Sequence, residues 1–464
     1  MFLRANCRKQ VINYSVTEVE TSMSGELFKV KGVGEWDIIT PPTVYPPRED
    51  TELLCSVIAR LSKTKHNAVE IGCGSGAVSI VLASLGWNVV AFDINPIAVS
   101  ATKDNLERFG LTDRVRVENS GILDGIKIPC NTDLLVWNIP YLDPITDAND
   151  KPCEIGEVAL SDIPGLGWGG ELLNHISEEQ DFLSPELTIL LLLRTSPKSL
   201  SKISDWEENG WSCRSLDFRR MGDEKIEVFA IWKTGQGADA KEVENCYSTM
   251  DAIKKIVGPR WRRIYSNSQS NGRGRRGSSW LSREGGVSAT WALDESIFQN
   301  IPPGVLQVSL GTIVSNTLDA MVKWPNDIVA SDGRKMAGVL IEYSEGEIRV
   351  GIGANKKSFQ EGPILGSGWE ETLGEAEAYE VFKRLDRSIS SYFEYTPMLP
   401  FPTSASLICM SWIGRSKLLS RGLLVRKSGL LLRPVGLNRY GELEVAGPNG
   451  CETISDLDET QWEF

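Results

Sequence analysis

Gly72, Gly74 and Gly76 lie in the run 67–76, Asn-Ala-Val-Glu-Ile-Gly-Cys-Gly-Ser-Gly, where a short apolar strand enters a glycine turn. Glycines there permit a sharp turn and close approach of a ligand to the backbone. Asp93 ends the next apolar stretch, 17 residues beyond Gly76. A carboxylate at that strand tip can accept hydrogen bonds from both ribose hydroxyls of an adenosine. Further on stands Asn138-Ile139-Pro140-Tyr141. An asparagine side chain offers one acceptor and two donors, so it can pair with a planar nitrogen group such as a carboxamide or an exocyclic amine. The Pro140 carbonyl can take a second hydrogen from that nitrogen, and Tyr141 can stack on its plane. This tetrapeptide points to methyl transfer from S-adenosylmethionine rather than to a nicotinamide dinucleotide, with catalysis by positioning and polarisation.

A second constellation follows. Residues 271–280 read Asn-Gly-Arg-Gly-Arg-Arg-Gly-Ser-Ser-Trp. Arginine forks on a glycine-rich backbone suit carboxylate and phosphate oxygens, and such a loop is expected to be floppy when empty. Its shortness and its place between expected strands argue against a solvated nucleic-acid-binding tract. Lys323 opens the run Lys-Trp-Pro-Asn-Asp. A lysine fixed before that turn can place its charge on a reacting carboxylate and an α-phosphate together. Two apolar strands then carry Gly338, Gly353 and Asn355, with glycines where a ligand can press on the backbone.

Positioning these groups needs folded domains. The chain has 464 residues, 41% hydrophobic and 24% charged, enough for two to four domains. The leucine-rich run Leu187 to Leu193, interrupted by Thr188, is too short to cross a bilayer. Two histidines, His66 and His175, leave no basis for a His-rich metal site, and the nine cysteines contain no Cys-x-x-Cys pair. Together with an N-terminus that lacks a secretory pattern, they suggest reduced thiols in a cytoplasmic protein. The net charge of −13 falls as −12 on residues 1–240 and −1 on 241–464, so nucleic acid is not the expected partner.

Strand and helix patterns alternate through residues 67–137: strands at 67–71, 89–92, 115–117 and 134–137, and helices at 77–85 and 96–109. A strand at 188–193 and a closing pair over 211–232 complete a parallel, doubly wound α/β sheet. Residues 234–242 are the linker candidate. Beyond it, helices are expected at 249–257, 306–321 and 375–392 among strands at 262–265, 287–292, 327–330, 337–343 and 347–353. The tail from about 411 reads as short strands of a small barrel.

Residues 41–171 resemble class I methyltransferases whose signature is Asn-Pro-Pro-Tyr, and Val44 to Leu54 resembles the opening segment of eukaryotic and archaeal release-factor glutamine methyltransferases. The resemblance implies Glu70, Gly72, Gly74, Gly76 and Asp93 around S-adenosylmethionine, Asp50 and Thr51 near its methionine end, and Asn138, Pro140 and Tyr141 at the methyl acceptor. It also implies a peptide release factor as substrate and a small zinc-binding activator subunit as partner. Ile139 replaces the first proline of the signature, and Ser120-Gly121 stands where the family usually has an acid.

Gln269 to Trp280, the Lys-Trp-Pro-Asn-Asp run, Ala337-Gly338-Val339-Leu340 and Gly351-Ile352-Gly353-Ala354-Asn355 together resemble biotin protein ligases over about residues 243–464. That resemblance implies attack of the biotin carboxylate on the α-phosphate of ATP, with magnesium, giving biotinyl-AMP, then transfer to a lysine of a biotin carboxyl-carrier protein. It places Ser248, Thr249, Gln269, Gly272 and Gly338 at biotin, and Arg273 and Arg275 in the loop over the adenylate. Lys323 falls at carboxylate and phosphate; Gly353 falls in a ligand-facing strand, Asn355 on the adenine side, and Trp280 against the adenine. Lys357 stands where the family often has a second asparagine, and Val287 to Thr290 is more polar than usual.

The expected whole is a Rossmann-like methyltransferase domain over 1–233, a linker over 234–242, an α+β biotin ligase catalytic domain over 243–405 and an SH3-like barrel over 406–464. Its function would be bifunctional, with a protein glutamine amide as the favoured methyl acceptor. An adenine amine in nucleic acid is the alternative acceptor, and a degenerate ligand-binding module beside an active ligase is the alternative to catalysis in the first half. Separation near Gly237 is expected to leave two independently active halves.

Overall fold

The computed structural model describes residues 25–62, 67–144, 159–258, 261–456 and 461–463. His66, Cys7 and Cys153 lie outside them. A hairpin, β1 (Gly25–Val30) and β2 (Gly34–Ile39), precedes helix α1 (Glu49–Ile58). Then come β3 (Asn67–Ile71), α2 (Ala77–Ser84), β4 (Asn88–Asp93), α3 (Pro96–Arg108), β5 (Val115–Asn119), β6 (Leu134–Asn138), α4 (Gly167–Glu178), β7 (Thr188–Ser196), α5 (Ile203–Glu208) and the pair β8 (Trp211–Met221) and β9 (Glu224–Lys233).

The sheet order is β5-β4-β3-β6-β7-β9-β8, parallel from β5 to β7 and antiparallel through β9 and β8. Parallel strands buried on both faces must be apolar at every position. In β7, Leu190 and Leu192 join the core beneath α1, α2 and α3, while Ile189, Leu191 and Leu193 join the core beneath α4 and α5. The leucine run is therefore a central strand. Asn95 caps α3 by accepting from the Ile97 amide at 3.0 Å, and Pro96 opens its first turn.

The second half contains β10 (Lys241–Cys246), α6 (Thr249–Ala252), β11 (Arg262–Gln269), β12 (Gly272–Arg273), β13 (Ser279–Trp280), β14 (Val287–Asp294), α7 (Pro303–Thr317), β15 (Met321–Lys323), β16 (Asp327–Val329), β17 (Lys335–Ser344), β18 (Glu347–Ala354), β19 (Phe359–Glu361), β20 (Ile364–Gly366), α8 (Glu370–Leu373) and α9 (Ala378–Phe393). The main sheet runs β10-β11-β14-β18-β17-β16-β15. Val381, Phe382, Leu385, Ile389 and Phe393 recur at helical spacing on α9 and enter the core over it. Asp386 lies on the same face, buried, and accepts from Trp261 Nε1 (3.1 Å), Trp291 Nε1 (2.8 Å) and Arg263 Nε (2.7 Å). Those three donors satisfy a charge that would otherwise be costly in a core.

Three expectations change. The helix expected over 249–257 is one short turn, α6, followed by a 3₁₀ turn at Ile253–Lys255. The tail does not begin with strands: α10 (Ser404–Gly414) and α11 (Ser416–Leu419) come first, with the Thr403 hydroxyl accepting from the Ser406 amide at 3.2 Å as an N-cap. The last five strands, β21 (Leu424–Lys427), β22 (Leu430–Leu437), β23 (Leu443–Gly447), β24 (Gly450–Ile454) and β25 (Gln461–Glu463), form a sheet ordered β24-β23-β22-β21-β25. Its end strands do not pair with each other among the described residues, so the expected barrel is an open sheet.

Residues 234–242 hold a 3₁₀ turn at Thr234–Gly237 and the start of β10, and Arg263 donates to the Ala238 carbonyl from Nη2 at 2.5 Å.

Candidate functional sites

The first site sits at the carboxyl edge of β3, β4 and β6. The turn after β3 puts Gly72, Gly74 and Gly76 in the left-handed region. At Gly76 a Cβ would also lie 3.0 Å from the Thr102 side chain, so glycine is needed twice over. Asp93 clamps the turn: one carboxylate oxygen accepts from the Gly74 amide and the other from the Asn95 amide, each at 2.8 Å. Burial pushes the Asp93 carboxyl up, and those two amides oppose the shift. Glu70 lies deeper, where it accepts from the Ser79 hydroxyl, and burial pushes its carboxyl up to about 8.

Asp50, at the start of α1, is 1% exposed. It accepts from the Thr51 amide (2.7 Å), the Tyr45 hydroxyl (3.3 Å) and Asn138 Nδ2 (2.9 Å). The last bond orients the Asn138 amide. Its nitrogen faces Asp50, and its buried Oδ1 has no partner among the described residues. A buried acceptor left open is a costly feature that a bound donor would satisfy. Pro140 and Asn138 line a cavity of about 440 Å³ with Glu70, Thr51, Asp93 and the glycine turn. Tyr141 does not: it is buried in the core beside Asp50 and Tyr45, and burial, followed by Asp50, pushes its phenol up.

Ser120 and Gly121 line the cavity where the acid is lacking. Trp168, which the sequence reading did not single out, lines it as well, its ring 6.0 Å from that of Trp137. Asp162 fixes the start of α4 by accepting from the Trp168 amide (2.7 Å), the Ser201 amide (3.0 Å) and the Ser201 hydroxyl (3.0 Å). Its role was hard to read from the sequence, because half of the cap comes from Ser201, 39 residues away.

The second site is a cavity of about 400 Å³ over β17 and β18. Gln269 Oε1 accepts from the Thr249 amide (3.2 Å) and hydroxyl (3.4 Å), and Thr290 donates to the Thr249 hydroxyl at 2.9 Å. Ser248 is buried with its hydroxyl unpartnered among the described residues. Gly272–Arg273 pairs with Ser279–Trp280, and Gly272 packs against Gln269. Arg273 forms ion pairs with Asp251 and Glu342, each at 3.2 Å. Arg275 Nη1 donates to Asn326 Oδ1 at 3.2 Å, which lays the loop over the cavity. The Trp280 ring lies against Gly353, where a Cβ would come within 2.3 Å of it, and near Gly338.

Lys323 faces Asp327 across the β15–β16 ladder but does not line the cavity. Burial lowers its ammonium pKa and Lys335 adds to that, while Asp327 opposes. Lys335 does line the cavity and pairs with Asp327 at 2.6 Å, a position the sequence reading left without a role. Asn355 is buried outside the lining, its Nδ2 donating to the Ser367 carbonyl at 3.3 Å. The lysine turn is held from behind. Trp324 Nε1 donates to the Gly441 carbonyl (2.9 Å), and the buried Arg415 donates to the Pro325 carbonyl and the Thr312 hydroxyl, each at 3.0 Å.

The first cavity gathers a glycine turn, a strand-end acid and an oriented asparagine at the edge of an α/β sheet. The second cavity carries a cationic loop, with Arg273 and Arg275, and Lys335 in its lining. Comparison with known proteins gives each its likeness. Residues 48–151 match the family model of ribosomal protein L11 methyltransferase, and residues 263–353 match the biotin/lipoate A/B protein ligase family.

The release factor glutamine methyltransferase of Clostridium botulinum is 34% identical over 104 residues, 21% of this chain and 37% of that protein. The eRF1 methyltransferase catalytic subunit mtq2 of Schizosaccharomyces pombe is 27% identical over 216 residues, 41% of this chain and 90% of that protein. The biotin protein ligase of Aquifex aeolicus in complex with biotin and ATP is 23% identical, with a TM-score of 0.36, over 48% of this chain and 98% of that one. The chain thus joins a methyltransferase-like part to a biotin/lipoate ligase-like part. No helix among the described residues is long and apolar enough to cross a membrane.

Proposed function

We propose that the protein ligates biotin to a carrier-protein lysine through biotinyl-AMP and methylates a planar nitrogen, a protein glutamine amide, from S-adenosylmethionine. The observation that supports this best is that most residues of each motif set converge on a cavity of their own. In the ligase half, Arg273 and Arg275 would exchange their present partners, Asp251, Glu342 and Asn326, for carboxylate and phosphate oxygens. Lys323 and Lys335 flank Asp327 and would offset the charge gathered at the α-phosphate. Magnesium would enter as the ion that accompanies ATP.

In the methyltransferase half, S-adenosylmethionine supplies an electrophilic methyl group. Asn138 Oδ1 would accept one amide hydrogen and the Pro140 carbonyl a second, leaving the nitrogen lone pair free to take the methyl group; the S–C bond would break to leave S-adenosylhomocysteine, and the nitrogen would give up one hydrogen as a proton to solvent. The missing acid at Ser120-Gly121 favours, as a second reading, a binding module without turnover. A release factor, a carboxyl-carrier domain and a small zinc-binding activator are the partners this reading names, and the free cysteines among the described residues suit a reducing cytoplasm. The test combines biotin, ATP and a carboxyl-carrier domain in one reaction, and S-adenosylmethionine with release factor or RNA in another, with mass mapping. One biotinylated lysine and one methylated glutamine are expected. Methyl on adenine would replace the acceptor, and no methyl with intact S-adenosylmethionine binding would establish the second reading.

Glu70 gives this proposal a proton signature. Because burial raises its pKa to about 8, the empty fold keeps a proton that the unfolded chain releases in the ordinary carboxylate range. Between that range and about pH 8 Glu70 therefore subtracts from stability as pH rises. A cationic ligand in the cavity favours the ionised form. S-adenosylmethionine binding at pH 7 should release a substantial fraction of one proton, read by calorimetry in buffers of different ionisation enthalpy. The release should vanish at pH 9.5; equal heats in all buffers at pH 7 would contradict it.

A further inference from the structure

The outer edge of the methyltransferase sheet is not free. Strand β8 and the end of β9 lie against the C-terminus of α9 and the segment that follows it. Arg214 on β8 is 6% exposed and donates to four ligase-side carbonyls: Ser391 (2.8 Å), Tyr392 (3.3 Å), Glu394 (3.1 Å) and Pro400 (3.1 Å). Those carbonyls include the last turn of α9, where the helix dipole is negative and a cation is most favourable. The guanidinium also sits 5.1 Å from the Trp232 ring and 5.9 Å from the Phe401 ring, one from each half.

The exchange is reciprocal. Glu394, 2% exposed, accepts from Trp232 Nε1 (3.1 Å) and the Gly235 amide (3.0 Å). The Ser212 and Ser390 hydroxyls meet at 2.6 Å, and the Cys213 amide donates to the Ser391 hydroxyl at 3.0 Å. Apolar packing follows the same line, since Met398 and Leu399 belong to the core beneath α1 and α2. A flexible tether between independent domains leaves relative motion as the default. Here, separation would strand a buried guanidinium, a buried carboxylate and the uncapped carbonyls of α9, each costly without its partner.

We infer that this face binds the two halves into one cooperative unit, with Arg214 and Glu394 as its lock, so that a ligand in either cavity stabilises both. Ligand that binds only the folded state raises the stability of whatever unfolds with its site. The experiment is scanning calorimetry of the full chain with S-adenosylmethionine alone, with biotin plus ATP, and with neither. The expected result is one transition carrying both cores, raised by either addition. Arg214→Met is expected to separate it into two transitions at least ~5 °C apart, each moved by its own ligand only. Glu394→Gln should do the same should Arg214→Met fail to fold. Two transitions in the unaltered chain, each answering to one ligand, would overturn the inference, as would a single transition untouched by both substitutions. Ligands that shift nothing would instead count against the functional reading, and the number of transitions would still decide the coupling.

Discussion

Replacing Lys323 by alanine is expected to lower biotin-dependent adenylation at least ~100-fold, the scale set by removing one preorganised charge from a developing anion. The reason is local. Lys323 is partly buried, and the Trp324 and Pro325 contacts to Gly441 and Arg415 fix the turn that carries it. Its charge is therefore delivered without the reorganisation that a loose surface lysine would need. Pyrophosphate exchange measures the effect, with the loss in kcat and a smaller change in the KM for biotin. Lys335→Ala supplies the control. Lys335 lines the cavity while Lys323 stands one step back across Asp327. Exchange that survives in Lys323→Ala but collapses in Lys335→Ala would move the role to Lys335.

Asn138→Ala is expected to lower methyl transfer by about 10²–10³-fold while S-adenosylmethionine affinity changes only a few-fold. The substitution removes the unpartnered acceptor on the amide that Asp50 orients and leaves the glycine turn and Asp93 clamp intact. Asn138→Asp serves as a second probe. It puts a carboxylate where the amide nitrogen now lies 2.9 Å from Asp50, so charge repulsion should abolish transfer and lower the melting temperature together. Methyl incorporation into a release-factor substrate, beside calorimetric binding of S-adenosylmethionine, separates the two effects. Undiminished incorporation in Asn138→Ala would remove this residue from the mechanism.

Much of the scaffold around these residues was readable in advance because its signals are local. The strand–turn–helix run through Gly72 to Gly76, the β8–β9 pair about Gly222 and the five main strands of the second sheet announce themselves by apolar runs and glycine punctuation. The tail misled because Leu407, Ser411 and their neighbours have no strong amphipathic contrast. A single hydroxyl cap at Thr403 and packing against α7 make that stretch helical. Tyr141 and Asn355, expected at ligands, lie buried outside the two cavity linings, because motif spacing says which strand end a side chain occupies and not which way it turns.

Residue order alone set out two motif groups on one chain: a glycine turn, a strand-end acid and an Asn-Ile-Pro-Tyr group in one half, and an arginine loop with a lysine turn in the other. Those depend on contacts between near neighbours, which short-range order encodes. The orientation of Asn138 by Asp50, the backing of the Lys323 turn by Arg415 and the burial of Arg214 against α9 join residues 88 to 178 positions apart across separate elements. Such pairings exist only once the sheets and helices have packed, since no local pattern records what a distant carbonyl will meet.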